Sequence, residues 1–134
     1  MVNFHSEYQG NLRTSVTHEP SGTKLITDAP TDNHGKGENF SPTDLVATAL
    51  GSCMVTIMGI VAQRAGWSLD GMTWKSSKIM TPPPRRIAEI SIHIKLENHS
   101  LTKEQKQTLE TAARKCPVAL TLSPEVKQTV IFDW

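Results

Sequence analysis

Residues 45–62 read LVATALGSCMVTIMGIVA, eighteen positions without a charge. A chain must either thread such a segment through a bilayer or bury it in a core. Length permits a span, since about 18 to 20 apolar residues cross the hydrocarbon layer. The detail points the other way: Thr48, Gly51, Ser52, Thr56 and Gly59 dilute the run, neither edge carries Trp or Tyr, and Arg64 is the one close cation. The segment follows a long, mostly polar stretch and sits in mid-chain, so it does not read as a secretory signal. A helix apolar on nearly every side is a core helix, and this one carries a single strongly reactive group, the thiol of Cys53.

The start of that helix is written in Ser41-Pro42-Thr43-Asp44. A capping hydroxyl, a proline at the first helical position and a carboxylate three residues after the cap all answer backbone N–H groups that have no helical partner. Gly66 can supply the left-handed turn that ends it, so the spacing predicts a helix over residues 41–65. A rod of that length spans about 37 Å, against a radius of gyration near 14 Å for a compact domain of this size. One small sheet cannot cover a surface that is apolar nearly all round. A second copy of the chain is therefore the expected cover, and a homodimer is predicted.

The 134 residues fit one domain, 1–134, that needs no disulfide or metal as a staple. Fourteen Lys and Arg balance thirteen Asp and Glu without a basic run, which removes the electrostatic basis for nucleic-acid binding. Two cysteines, Cys53 and Cys116, are too few for a secreted disulfide scaffold, and a reducing cytoplasm is the natural setting. The five histidines are scattered and do not pair closely with the cysteines, so no metal and no cofactor is expected, nor a membrane or nucleic-acid partner.

Residues 1–30 alternate loosely between turn signals at Gln9-Gly10-Asn11 and Pro20-Ser21-Gly22, which suits a small antiparallel meander. Residues 28–39, DAPTDNHGKGEN, read as a surface loop leading to the helix. In the C-terminal part, about 68–134, a weak strand over residues 73–80 precedes Pro82-Pro83-Pro84. Ala88, Ile90, Ile92, Ile94 and Leu96 then alternate with Glu89, Ser91, His93, Lys95 and Glu97, a strand with one wet face. Thr102 with Gln105 opens a second helix whose buried stripe is Leu109, Ala112, Ala113 and Cys116. Pro117 begins a short third helix, and residues 126–132 form a last strand. Strands, long helix, strands, helix and strand give an α+β fold with a mostly antiparallel sheet.

Both thiols have a structural reading. Cys53 shares a stripe with Leu45, Ala49, Ile57 and Val61, and free cysteine commonly packs as a small hydrophobe. Cys116 has a better chemical setting. As the cap of the Pro117 helix it would meet the positive end of the helix dipole, which lowers a thiol's pKa from about 8.5.

Residues 37–54 (GENFSPTDLVATALGSCM), Pro84-Arg85-Arg86-Ile87 and residues 112–122 (AARKCPVALTL) resemble the osmotically inducible protein C and organic hydroperoxide resistance (OsmC/Ohr) family. The resemblance implies an intertwined homodimer, with long central helices between sheets, acting as a thiol peroxidase on small organic hydroperoxides. It implies Cys53 as the thiol that attacks peroxide, Cys116 as the one that resolves the product through a disulfide, and a small dithiol as reductant. In relatives an arginine from the N-terminal strands, held by a glutamate in the first turn of the cysteine helix, offsets the burial of the reactive thiol. Arg13 is the counterpart by that resemblance, with Arg85 and Arg86 as other candidates. The glutamate position here is Thr43, and the neighbouring Asp44 is the cap's own acid. The alternative reading is a dimeric, stress-related binding module that encloses a small hydrophobic ligand and does not turn over peroxide.

Overall fold

The computed structural model describes all of residues 1–134, and the chain resolves into two compact units, residues 1–45 and 46–134.

The first unit is an antiparallel meander of β1 (Phe4–Gly10), β2 (Arg13–His18) and β3 (Lys24–Asp28). Asn11 and Leu12 join β1 to β2 with positive φ at both positions, the two-residue turn whose twist matches the strands it connects. Between β2 and β3 the chain turns around Pro20 and Ser21, which sets Thr14 opposite Thr27 and Arg13 opposite Asp28. Asp28, expected to open the surface loop, is instead the buried last residue of β3. The loop after it folds back on itself: Gly35 and Gly37 donate to the carbonyls of Pro30 and Ala29. A Cβ at Gly35 would lie 1.7 Å from the Ala29 carbonyl oxygen, so only glycine permits this return.

At the end of this unit the Ser41 hydroxyl accepts from the Asp44 amide at 3.1 Å, and the Asp44 carboxylate accepts from the Ser41 amide at 2.8 Å. Two orphan donors are thus satisfied reciprocally, and α1 (Pro42–Ala65) begins where the sequence places it. It ends at Gly66, whose φ of 75° supplies the left-handed exit.

In the second unit α1 buries Ala47, Leu50, Gly51, Met54, Met58 and Ala62. They pack in one core with Ile90, Ile92 and Ile94 of β5 (Ile87–Lys95) and with Leu109 and Ala113 of α2 (Lys103–Arg114). The strand periodicity is realised residue by residue: Ile90, Ile92, Ile94 and Leu96 are at most 2 % exposed while His93 and Lys95 face solvent. Each such burial is worth about 1.5–3 kcal/mol. β4 (Thr73–Met80) pairs antiparallel with β5, and β6 (Lys127–Asp133) pairs parallel with it, giving the order β4-β5-β6. A parallel neighbour needs a long crossover. That crossover is α2, opened by the reciprocal Thr102–Gln105 cap, followed by the five-residue α3 (Pro117–Thr121). The fold is α+β, and α1, the one helix long and apolar enough to cross a membrane, turns one face into the core of the second unit.

Candidate functional site

Two elements of the second unit bring the thiols together. Cys53 lies at mid-length on α1, half-buried at the edge of the core, and Cys116 is the fully buried cap of α3. Both are free, and they lie near enough for the Cys53 side chain to raise the pKa of Cys116. The path that places Cys116 there is local. Pro117 excludes helical geometry at Cys116, which adopts an extended backbone (φ −64°, ψ 150°) and turns its sulfur back over the first turn of α3. There Sγ accepts from the Ala119 amide at 3.4 Å.

The expected drop in the Cys116 pKa does not occur. Burial is the largest influence and pushes the thiol up, the Ala119 amide pulls it down, and the neighbouring Cys53 side chain pushes it up again. The cap that the sequence predicts is present, but desolvation outweighs it, so Cys116 holds its proton beyond the range of an ordinary thiol.

In the first unit Arg13 makes a clamp of its own. Its Nε and Nη2 reach the two carboxylate oxygens of Asp28 at 2.6 and 2.9 Å, and Nη2 also reaches Glu38 at 2.8 Å. Asn39 donates to the same Asp28 carboxylate at 3.0 Å. The bidentate geometry follows from the strand register, which sets Arg13 directly across from Asp28. Arg13's hydrogen bond holds the Asp28 carboxyl well below the usual carboxylate range; burial opposes that shift and Asn39 reinforces it. Arg13 in turn is raised, by Asp28 first and Glu38 second. Its anionic partners are thus Asp28 and Glu38, while Thr43 hydrogen-bonds the Ser41 hydroxyl and Asp44 caps α1. The other arginine candidates lie apart in sequence, and Arg86 forms an exposed ion pair with Glu125 at 2.8 Å.

Sequence reasoning missed Asp28, Glu38 and Asn39 because it assigned all three to a surface loop. The register was recoverable: once the turn is centred between Pro20 and Ser21, antiparallel pairing puts Asp28 opposite Arg13. Nothing comparable marks Glu38, which reaches Arg13 through the glycine-dependent return of the loop. No three of the chain's His, Cys, Asp and Glu side chains converge as a metal site would require.

A structure from Psychrobacter arcticus 273-4, named for an osmotic stress induced and detoxification response, is 44% identical, with 98% of this chain and 96% of that chain aligned at a TM-score of 0.93. An organic hydroperoxide resistance protein OsmC from Legionella pneumophila shares the fold at 18% identity and a TM-score of 0.78, over 100% of this chain and 97% of its own. An organic hydroperoxide resistance protein from Elizabethkingia anophelis does so at 14% and 0.77, over 99% and 95%. No curated protein matches the sequence. The family model described as OsmC-like protein matches residues 35–130, which include both thiols, and the chain belongs to that family.

Proposed function

We propose that the protein is a cysteine-based thiol peroxidase that reduces organic hydroperoxides. The observation that carries this reading is a half-buried thiol on one helix near a fully buried thiol that caps another, the two far apart in sequence. The names of the Legionella and Elizabethkingia proteins, which share the fold, support the substrate class.

In this scheme the Cys53 thiolate attacks the O–O bond of the hydroperoxide. The alkoxide leaves and takes a proton to become the alcohol, and Cys53 becomes a sulfenic acid. The Cys116 thiol then displaces the sulfenic oxygen, which leaves as water with the thiol proton, and a Cys53–Cys116 disulfide forms. A small dithiol reduces it by exchange. Cys53 and Cys116 belong to an apolar core region, and such surroundings favour an alkyl hydroperoxide, at about 0.8 kcal/mol per buried CH₂. Arg13 is assigned the cation's part, with Asp28 and Glu38 in place of the carboxylate that relatives carry on the cysteine helix.

The working form is a homodimer of a single OsmC-like domain acting in the cytoplasm. Exposed Ala49, Ser52, Thr56, Ile60 and Gln63 fall at helical spacing on the side of α1 away from the core, which supports a second copy as their cover.

The test is intact mass after one equivalent of cumene hydroperoxide. Loss of two hydrogens from the wild type, and a single added oxygen with Cys116→Ser, are expected. Retention of both thiols in the wild type removes the peroxidase and turns attention to the ligand-binding alternative.

A further inference from the structure

β6 contains a residue of the wrong kind for its place. Val130 and Phe132 alternate on the side of the strand that packs against the core, and Gln128, two positions before Val130, falls on that side too, opposite Ile90. A polar side chain in an apolar row needs a partner for its amide. Here Nε2 donates to the Ala119 carbonyl at 3.0 Å.

That carbonyl lies near the C-terminal end of a five-residue helix, where acceptors lack helical partners. Cys116, Pro117 and Val118 have theirs in Leu120, the Thr121 hydroxyl and Leu122. The Ala119 carbonyl has Gln128. Ala119 is also the residue whose amide holds the Cys116 sulfur. An unbroken set of hydrogen bonds thus runs from β6 through Ala119 to the Cys116 thiol, whose neighbour is Cys53.

From this we infer that Gln128 is a positioning residue for the resolving thiol: its amide anchors α3 to β6 through Ala119 and so keeps Cys116 Sγ against Cys53. The inference rests on the proposed peroxidase chemistry for its consequence. A Cys53 sulfenic acid has two fates. Attack by Cys116 breaks the S–O bond, forms the S–S bond and releases water. Attack by Cys53 on a second organic hydroperoxide transfers another oxygen, giving the sulfinic acid and an alcohol. The second fate gains whenever Cys116 strays.

The experiment compares wild type with Gln128→Glu, which keeps the shape but replaces the donor with an acceptor that repels the carbonyl, and with Gln128→Lys, which restores an N–H donor. Intact mass after graded cumene hydroperoxide reads disulfide as loss of two hydrogens and sulfinic acid as gain of two oxygens. Loss of one hydrogen bond should lower the disulfide-to-sulfinic ratio about fivefold in Gln128→Glu, equivalent to about 1 kcal/mol. Gln128→Lys should recover most of it. Equilibration of each variant with glutathione redox buffer reads the same placement without peroxide, as a similar fall in the pair's effective concentration. Equal ratios and equal glutathione equilibria in all three proteins would overturn the inference. A wild type that ignores hydroperoxide while Gln128→Glu still weakens the glutathione disulfide would sink the peroxidase and leave Gln128's role standing. Circular dichroism melting of each variant confirms that a folded protein is being compared.

Discussion

A carboxylate that is almost completely buried, as Asp28 is, survives in a fold only if its lone pairs are met, and Arg13 and Asn39 meet them here. Its pKa lies below the ordinary value of about 3.9 in the folded state. The unfolded chain therefore binds the proton more readily, so the contribution to stability is present above about pH 4 and is lost as pH falls towards the depressed value. Asp28→Asn should lower the urea midpoint at neutral pH more than Glu38→Gln does, because Glu38 is exposed and its pairing is screened. It should also flatten the acid limb of the stability curve between about pH 5 and pH 2. A wild type and an Asp28→Asn variant with parallel acid limbs would show that the clamp does not set the acid sensitivity. At Cys116 the same competition between burial and hydrogen bonding ends the other way, because one amide at 3.4 Å is a weak answer to complete burial.

On the scale of elements, the close approach of α1 to β4 depends on Gly51. A Cβ there would lie 2.8 Å from Trp74 Cδ1, 2.9 Å from Trp74 Nε1 and 2.7 Å from Ser76 Oγ. The Ser76 hydroxyl can rotate away, but the indole ring cannot do so cheaply. Overpacking costs about 1–3 kcal/mol, and the better helix propensity of alanine returns about 1. Gly51→Ala should therefore lose up to about 2 kcal/mol in chemical denaturation, with a shift in Trp fluorescence as the ring is displaced. A stability gain with unchanged fluorescence would mean that propensity wins and the strand gives way. The elements themselves were legible wherever a local signal sufficed. The Ser41–Asp44 and Thr102–Gln105 caps, the Gly66 exit and the alternation along β5 are interactions between residues close in sequence or a repeat of fixed period. The strand register around Arg13 depends on where the turn is centred, which pairs residues fifteen positions apart.

For the whole molecule, an α1 that is apolar nearly all round has only one face covered by the core of its own unit. If a second copy covers the exposed row, Ile60→Arg should convert a dimer to a monomer in sedimentation at about 10 μM and reduce peroxide turnover together with it, since burying an unpaired guanidinium is unfavourable. A wild type that sediments as a monomer would count against that assembly.

By itself the sequence determined the helix that carries Cys53, its two ends, the strands and the α+β class, because caps, turns and hydrophobic period act over a few residues. It also marked both cysteines as candidates and Cys116 as a cap. Only the tertiary structure decided that two thiols 63 positions apart are neighbours, that burial outweighs the cap at Cys116, that Arg13 is gripped by Asp28 and Glu38, and that Gln128 ties α3 to β6. Each of these depends on contacts across long stretches of chain, whose distances and solvent exposure are set by packing and leave no periodic trace in the order of residues.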